Sequence, residues 1–153
     1  MVRAFLAIEL PQELRTTLAT IEQDMKRQLE RTVDRHVRIS WVRPDSMHLT
    51  LRFLGDTADE SIEPLRVAIE ESVSAHQAIP IPLERLGTFP RRQAPRVLWA
   101  GPSVSWEQGL EAQRLTSLHR AVEACCRAAN FAPEERPFSR SEERRVGKEC
   151  WLE

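Results

Sequence analysis

The alternation in Met47-His48-Leu49-Thr50-Leu51-Arg52-Phe53-Leu54-Gly55 is the feature of this chain that most restricts its fold. Successive side chains of an extended strand point to opposite faces. Met47, Leu49, Leu51 and Phe53 therefore make an apolar face that belongs to a core, while His48, Thr50 and Arg52 make the face opposite. That polar row carries an imidazole, a hydroxyl and a guanidinium, a set of groups able to hold a phosphate oxygen and exchange a proton with it.

The flanking sequence supplies the elements such a strand needs around it. Phe5 to Leu10 is a short apolar run ending at Pro11, a residue suited to the first turn of a helix. From Pro11 to about Glu30, the residues Leu14, Leu18, Ile21, Met25 and Leu29 recur at spacings of three and four, which predicts an amphipathic helix. Val37, Ile39 and Trp41 alternate ahead of Arg43-Pro44 and predict a second strand, and Met47 to Leu54 is the third, closed by a turn at Gly55-Asp56. Thr57 or Asp59 is placed to cap a helix whose inner face is Ile62, Leu65, Ile69 and Val73, with Pro64 tolerated in its first turn. Ile79 to Leu86 reads as an edge strand because of Pro80 and Pro82, and Arg96 to Ala100 as its neighbour. A long helix from about Trp106 to Ala129 turns Leu110, Leu115, Leu118, Val122 and Cys125 or Cys126 inward. The order β-α-β-β-α-β-β-α describes an α+β fold.

Composition narrows the class. At 153 residues, with 41% hydrophobic and 29% charged, the chain has the size and balance of one globular domain. A formal net charge of -1 argues against a protein that coats long nucleic acid, whose affinity comes from many Lys and Arg contacts to phosphates. The three cysteines, Cys125, Cys126 and Cys150, are odd in number and form no CxxC pair, so they read as reduced thiols. The apolar run near the N-terminus is short and interrupted by Glu9, unlike a secretory signal, and no stretch approaches the ~20 apolar residues of a membrane span. The expected location is the cytoplasm, with no membrane partner. No His, Cys, Asp and Glu cluster has metal-ligand spacing, so neither a metal nor another cofactor is expected. His36, His76 and His119 lack the motif's spacing and read as structural or exposed.

Six segments in order resemble the 2H phosphoesterase superfamily and, within it, the RNA 2′,3′-cyclic phosphodiesterases, also called 2′-5′ RNA ligase-like proteins. They are Phe5-Leu6-Ala7-Ile8-Glu9-Leu10-Pro11, Trp41-Val42-Arg43-Pro44, His48-Leu49-Thr50-Leu51-Arg52-Phe53-Leu54-Gly55, Leu86-Gly87-Thr88-Phe89-Pro90, Pro95-Arg96-Val97-Leu98-Trp99-Ala100-Gly101 and Arg136-Pro137-Phe138-Ser139. The resemblance implies a bilobal fold, with two antiparallel sheets facing a central cleft, helices outside, and one His-x-Thr/Ser-x motif on a strand of each lobe. It implies that His48 is a proton donor and that Thr50 positions the phosphate. Arg52, expected on the same face, is a candidate for binding substrate, and its pattern fits equally an Arg paired to a neighbouring carboxylate. The implied partners are RNA ends or nucleotides bearing a 2′,3′-cyclic phosphate, and a monomer is expected.

The second motif departs from the family pattern. Similar proteins continue after Arg-Pro-Phe-Ser with Pro-His-x-Thr-Leu, but here Ser141 stands at the His position and Glu143 at the Thr position. Residues 140–153 have neither strand nor clear helix spacing and read as a tail foreign to the family, disordered or artefactual, following an incomplete domain over 1–139. A frameshift, a truncated gene or vector-derived sequence would produce such an ending. The expectation is a second lobe without its motif strand.

The chemistry explains why the loss matters. Opening a cyclic phosphate with water needs a base for the water's proton and an acid for the departing ribose oxygen, roughly in line on opposite sides of phosphorus. Two imidazoles suit both tasks near neutral pH, since histidine's ordinary pKa is about 6.5. A chain with one of them is expected to be inactive or nearly so, which leaves a noncatalytic RNA- or nucleotide-binding module, or a defective product, as the alternatives.

Overall fold

The computed structural model describes residues 1–32, 39–89 and 97–133. Within them, β1 (Val2–Glu9) pairs antiparallel with β2 (His48–Thr57), and β3 (Arg85–Phe89) pairs antiparallel with β4 (Val97–Gly101). The helices are α1 (Gln12–Thr32), α2 (Asp59–Ser74), α3 (Val104–Glu107) and α4 (Leu110–Ala128), with a single 3-10 turn at Pro44–Ser46. The fold is α+β, as the pattern of periods predicts, with the two antiparallel sheets that the resemblance implies.

The helical stripes become the cover of the first sheet. Leu65 of α2 and Val122 and Cys126 of α4 form a buried cluster, and Leu6, Leu51 and Leu54 from the sheet pack on it together with Ile69, Cys125, Ala129 and Phe131. Each fully buried aliphatic side chain of this kind contributes about 1.5–3 kcal/mol. The cluster therefore fixes one face of β1 and β2 against the helices and leaves the other face open.

Several boundaries differ from the expectation for identifiable reasons. The expected long helix over 106–129 is two helices, because Gly109 takes an extended backbone (φ -86°, ψ 178°) and serves as the N-cap of α4. The strand expected from Ile79 begins at Arg85, since prolines at 80 and 82 carry no N–H for a ladder. Neither Thr57 nor Asp59 caps α2: its N-cap is Ala58, while the buried Thr57 hydroxyl donates to the Gly55 carbonyl at 3.2 Å. Of the strand expected over Val37 to Trp41, Val37 and Arg38 lie outside the described residues, and among the other three only Ile39 makes an isolated bridge. His36 and the segment from 134 that carries Arg136 to Ser139, Ser141 and the tail also lie outside them.

The largest difference is inside β2. The expected turn at Gly55-Asp56 is instead part of the ladder, which runs on to Thr57. Along that ladder Ala7 pairs with Thr50 but Leu6 pairs with Arg52, so Leu51 is an extra residue. Likewise, Phe5 pairs with Phe53 but Ala4 with Gly55, so Leu54 is a second one. Each extra residue is a β-bulge, and a bulge shifts the alternation of faces by one position. Gly55 accommodates the second bulge with a left-handed backbone, φ +73°.

Candidate active site

The site is built on the open face of the first sheet. Residues that pair across an antiparallel ladder share a face. His48 opposite Glu9, Thr50 opposite Ala7, and Phe53 opposite Phe5 therefore lie on one side, and Leu49 opposite Ile8 and Arg52 opposite Leu6 lie on the other. Burial agrees: Leu49 and Arg52 are buried, whereas His48 and Thr50 are half-buried and Phe53 is exposed. The expected row of three polar groups is thus a row of two. Arg52 is turned to the core face by the bulge at Leu51, and Phe53 is turned out of it.

His48 is held from two directions. The turn at Pro44–Ser46, entered through a proline at its first position, closes with Ser46 N–H donating to the Arg43 carbonyl at 2.8 Å and Met47 N–H to Pro44 at 3.1 Å. That turn presents the Ser46 carbonyl to His48 Nδ1 at 2.8 Å. A carbonyl only accepts, so Nδ1 carries the proton and Nε2 is the nitrogen left for chemistry. The Phe5 ring stacks on the imidazole, with centroids 4.9 Å apart and planes at 28°. Two residues on, Thr50 faces the same way with the small Ala7 across from it, and its hydroxyl has no hydrogen-bond partner among the described residues. A fixed imidazole beside an available hydroxyl is an arrangement that can hold an oxyanion and pass it a proton.

Arg52 has other partners. Its guanidinium donates to the Glu123 carboxylate of α4 and to the Ala132 carbonyl just beyond that helix, and its side chain is 2% exposed. The sequence leaves this pairing with a carboxylate open beside the substrate-binding reading, but spacing misses Phe5 and the Ser46 carbonyl as the two supports of His48. The available signal for the carbonyl was the Arg43-Pro44-Asp45-Ser46 turn immediately before the motif.

His76, just past α2, and His119, on α4, are half-buried and stand apart from the motif in sequence. Among the described residues no group of three or more His, Cys, Asp or Glu side chains could hold a metal ion. None of the described helices is long and apolar enough to cross a membrane.

Comparison with known proteins gives a consistent picture. The model of the family described as LigT like Phosphoesterase matches residues 8–99. The chain is 30% identical over 136 residues to an RNA 2′,3′-cyclic phosphodiesterase of Geobacillus stearothermophilus, covering 88% of this chain and 38% of that protein. It is 33% identical over 100 residues to an RNA 2′,3′-cyclic phosphodiesterase of Aquifex aeolicus, covering 65% and 50% respectively. The chain thus spans about half the length, or less, of these curated relatives. In structure it is similar to a phosphoesterase crystal structure with a TM-score of 0.56 at 26% identity, covering 90% of this chain and 68% of the other. It shares its fold with E. coli LigT complexed with 3′-AMP, with a TM-score of 0.58 at 24% identity, covering 98% and 71%.

Proposed function

The chain belongs to the LigT-like phosphoesterase family, and from that premise we propose that its open sheet face binds the 2′,3′-cyclic phosphate of an RNA end or nucleotide and supplies the acid for its hydrolysis to a 2′-phosphate. In this reading, water attacks phosphorus, the bond from phosphorus to the ribose 3′ oxygen breaks, and His48 Nε2 gives that oxygen its proton. The Thr50 hydroxyl donates to a nonbridging oxygen. Preorganised donors of this kind supply a large share of the rate in phosphoryl chemistry, because they need no rearrangement as charge develops. With the 5′-hydroxyl of a second RNA end in place of water, the same ring opening leaves a 2′-5′ linkage and a free 3′-hydroxyl. The observation that carries the reading is the Ser46 carbonyl on Nδ1, which leaves Nε2 as the working nitrogen next to Thr50.

The base that takes the water's proton belongs to the second motif of the family pattern, and Ser141 stands there in this sequence. That residue favours a second reading for the chain as written: a nucleotide-binding module with little turnover. The protein is expected to act on RNA ends in the cytoplasm, as a monomer and without a metal. Calorimetric titration with adenosine 2′-monophosphate, parent beside His48→Ala, tests the site. The parent should bind and the variant should lose most of its affinity; equal affinities would overturn the assignment.

A further inference from the structure

Arg15 stands at the end of the sheet that carries His48, and its guanidinium lacks a hydrogen-bonded acid. β1 ends at Glu9, the residue paired with His48 across the ladder, and the chain turns through Leu10 and Pro11 into α1. Arg15 lies one turn into that helix, on the same stripe as the buried Leu18 and Glu22. The helix also packs against the turn at Pro44–Ser46 that holds His48. The Arg15 side chain is 19% exposed, yet among the described residues its one ionic contact is Nη2 to the Glu9 carboxylate at 4.0 Å, too long for a hydrogen bond. Its Nε is buried and has no partner. Arg52 and Arg85 differ, since each donates to a carboxylate and to a backbone carbonyl. A guanidinium taken this far out of water is costly unless a charge answers it, and Glu9, 90% exposed, answers it loosely.

We propose that Arg15 holds a second phosphate, the one on the 5′ side of the nucleotide whose 2′-phosphate sits at His48 and Thr50. The proposal rests on the phosphate reading of that face and adds the substrate class. It is the terminal nucleotide of an RNA chain, which carries a phosphate on both sides of its ribose, in preference to a free nucleotide with one. Glu9 relates the two positions: it shares the face of His48 in register and its carboxylate approaches Arg15, so an anion at Arg15 is one side chain away from an anion at His48. A guanidinium suits the task because its fork binds two phosphate oxygens at once. Glu9 competes with that phosphate for Arg15 and, being exposed, gives way to it.

The test compares adenosine 2′-monophosphate with adenosine 2′,5′-bisphosphate, which differ by the 5′-phosphate alone, by calorimetric titration of the parent, Arg15→Gln, Glu9→Gln and His48→Ala. The parent should bind the bisphosphate more tightly by about 10-fold or more, the effect of one hydrogen bond between charged groups. Arg15→Gln should erase that advantage and leave the monophosphate unchanged, which also shows that the variant is folded. Glu9→Gln, at an exposed position, should widen the advantage by removing the competing carboxylate, and His48→Ala should weaken both ligands. Equal affinities of the parent for the two ligands, or an advantage that survives Arg15→Gln, overturns the second site while the phosphate reading stands. Loss of both ligands in Arg15→Gln, with no wider advantage in Glu9→Gln, makes Arg15 a structural staple and overturns the site as well. An advantage that needs Arg15, with no effect of His48→Ala on the monophosphate, supports the second site and overturns the phosphate reading at His48. A parent that binds neither ligand overturns both.

Discussion

The guanidinium of Arg52 and the carboxylate of Glu123, 71 residues apart in sequence, meet behind the sheet and tie the strand that carries His48 to α4. The second hydrogen bond of Arg52, to the Ala132 carbonyl, fastens the chain just beyond α4 to the same point. This pair anchors β2 between its two bulges, and so sets which residues face outward.

The two halves of the pair should not be equally costly to remove. Glu123→Ala leaves the Arg52 charge in the core with only the Ala132 carbonyl, and breaking a buried pair in this way costs about 3–5 kcal/mol. Arg52→Met leaves a carboxylate that is 17% exposed and still has Arg127 at 3.4 Å. Its cost should be smaller, about 1–3 kcal/mol. Urea unfolding of both variants measures the order, and a costlier Arg52→Met would refute this account of the anchor.

Gly55 is the conformational requirement of the second bulge. A Cβ there would meet nothing within 4 Å, so any penalty for Gly55→Ala comes from the backbone at φ +73° and not from crowding. The expected loss is about 1–2 kcal/mol, with Gly55→Asn costing less because asparagine tolerates the left-handed region. Equal stability of Gly55→Ala and the parent in urea would show that the bulge relaxes freely.

These positions also mark where the sequence was readable. Leu65, Ile69, Leu115, Leu118 and Val122 followed helical spacing into the helix faces expected of them, and Leu49 followed strand spacing, because burial of an apolar face imposes a period. His48 and Thr50 were legible for the same reason. Arg52 and Phe53 were not, since one extra residue at Leu51 reverses the alternation and no local residue type announces it. The partners of Arg52 and His48, Glu123 and Phe5, are distant in the chain, and spacing within one segment carries no information about them.

Gly87 should be intolerant of a side chain for a steric reason. It pairs with Trp99 across β3 and β4, and a Cβ on it would lie 2.3 Å from Cζ2 of the buried indole. Gly87→Ala forces the ring to move, an overpacking cost of about 1–3 kcal/mol. In a Trp99→Leu background most of that cost should vanish, and a double-mutant cycle by urea unfolding reads the difference. An undiminished cost would place the penalty in the glycine backbone.

The last prediction concerns Cys126, fully buried in the cluster behind β2. Burial pushes its thiol above the ordinary value, against an opposing pull from the nearby positive charge of Arg52. In the unfolded chain the thiol ionises near the ordinary value of about 8.5, before the folded protein's thiol does. Above that pH the unfolded state releases a proton that the folded state keeps, so stability falls with rising pH. The contribution is complete below the unfolded value and is lost as pH rises toward the raised folded one. Urea unfolding of the parent and Cys126→Ala across this alkaline range should show the parent losing stability relative to the variant, since Cys125 and Cys150 are common to both. In an Arg52→Met background the loss should extend to higher pH, because the charge that favours the thiolate is gone. Parallel curves for parent and Cys126→Ala would show that the thiol ionises as readily in the folded core as in water.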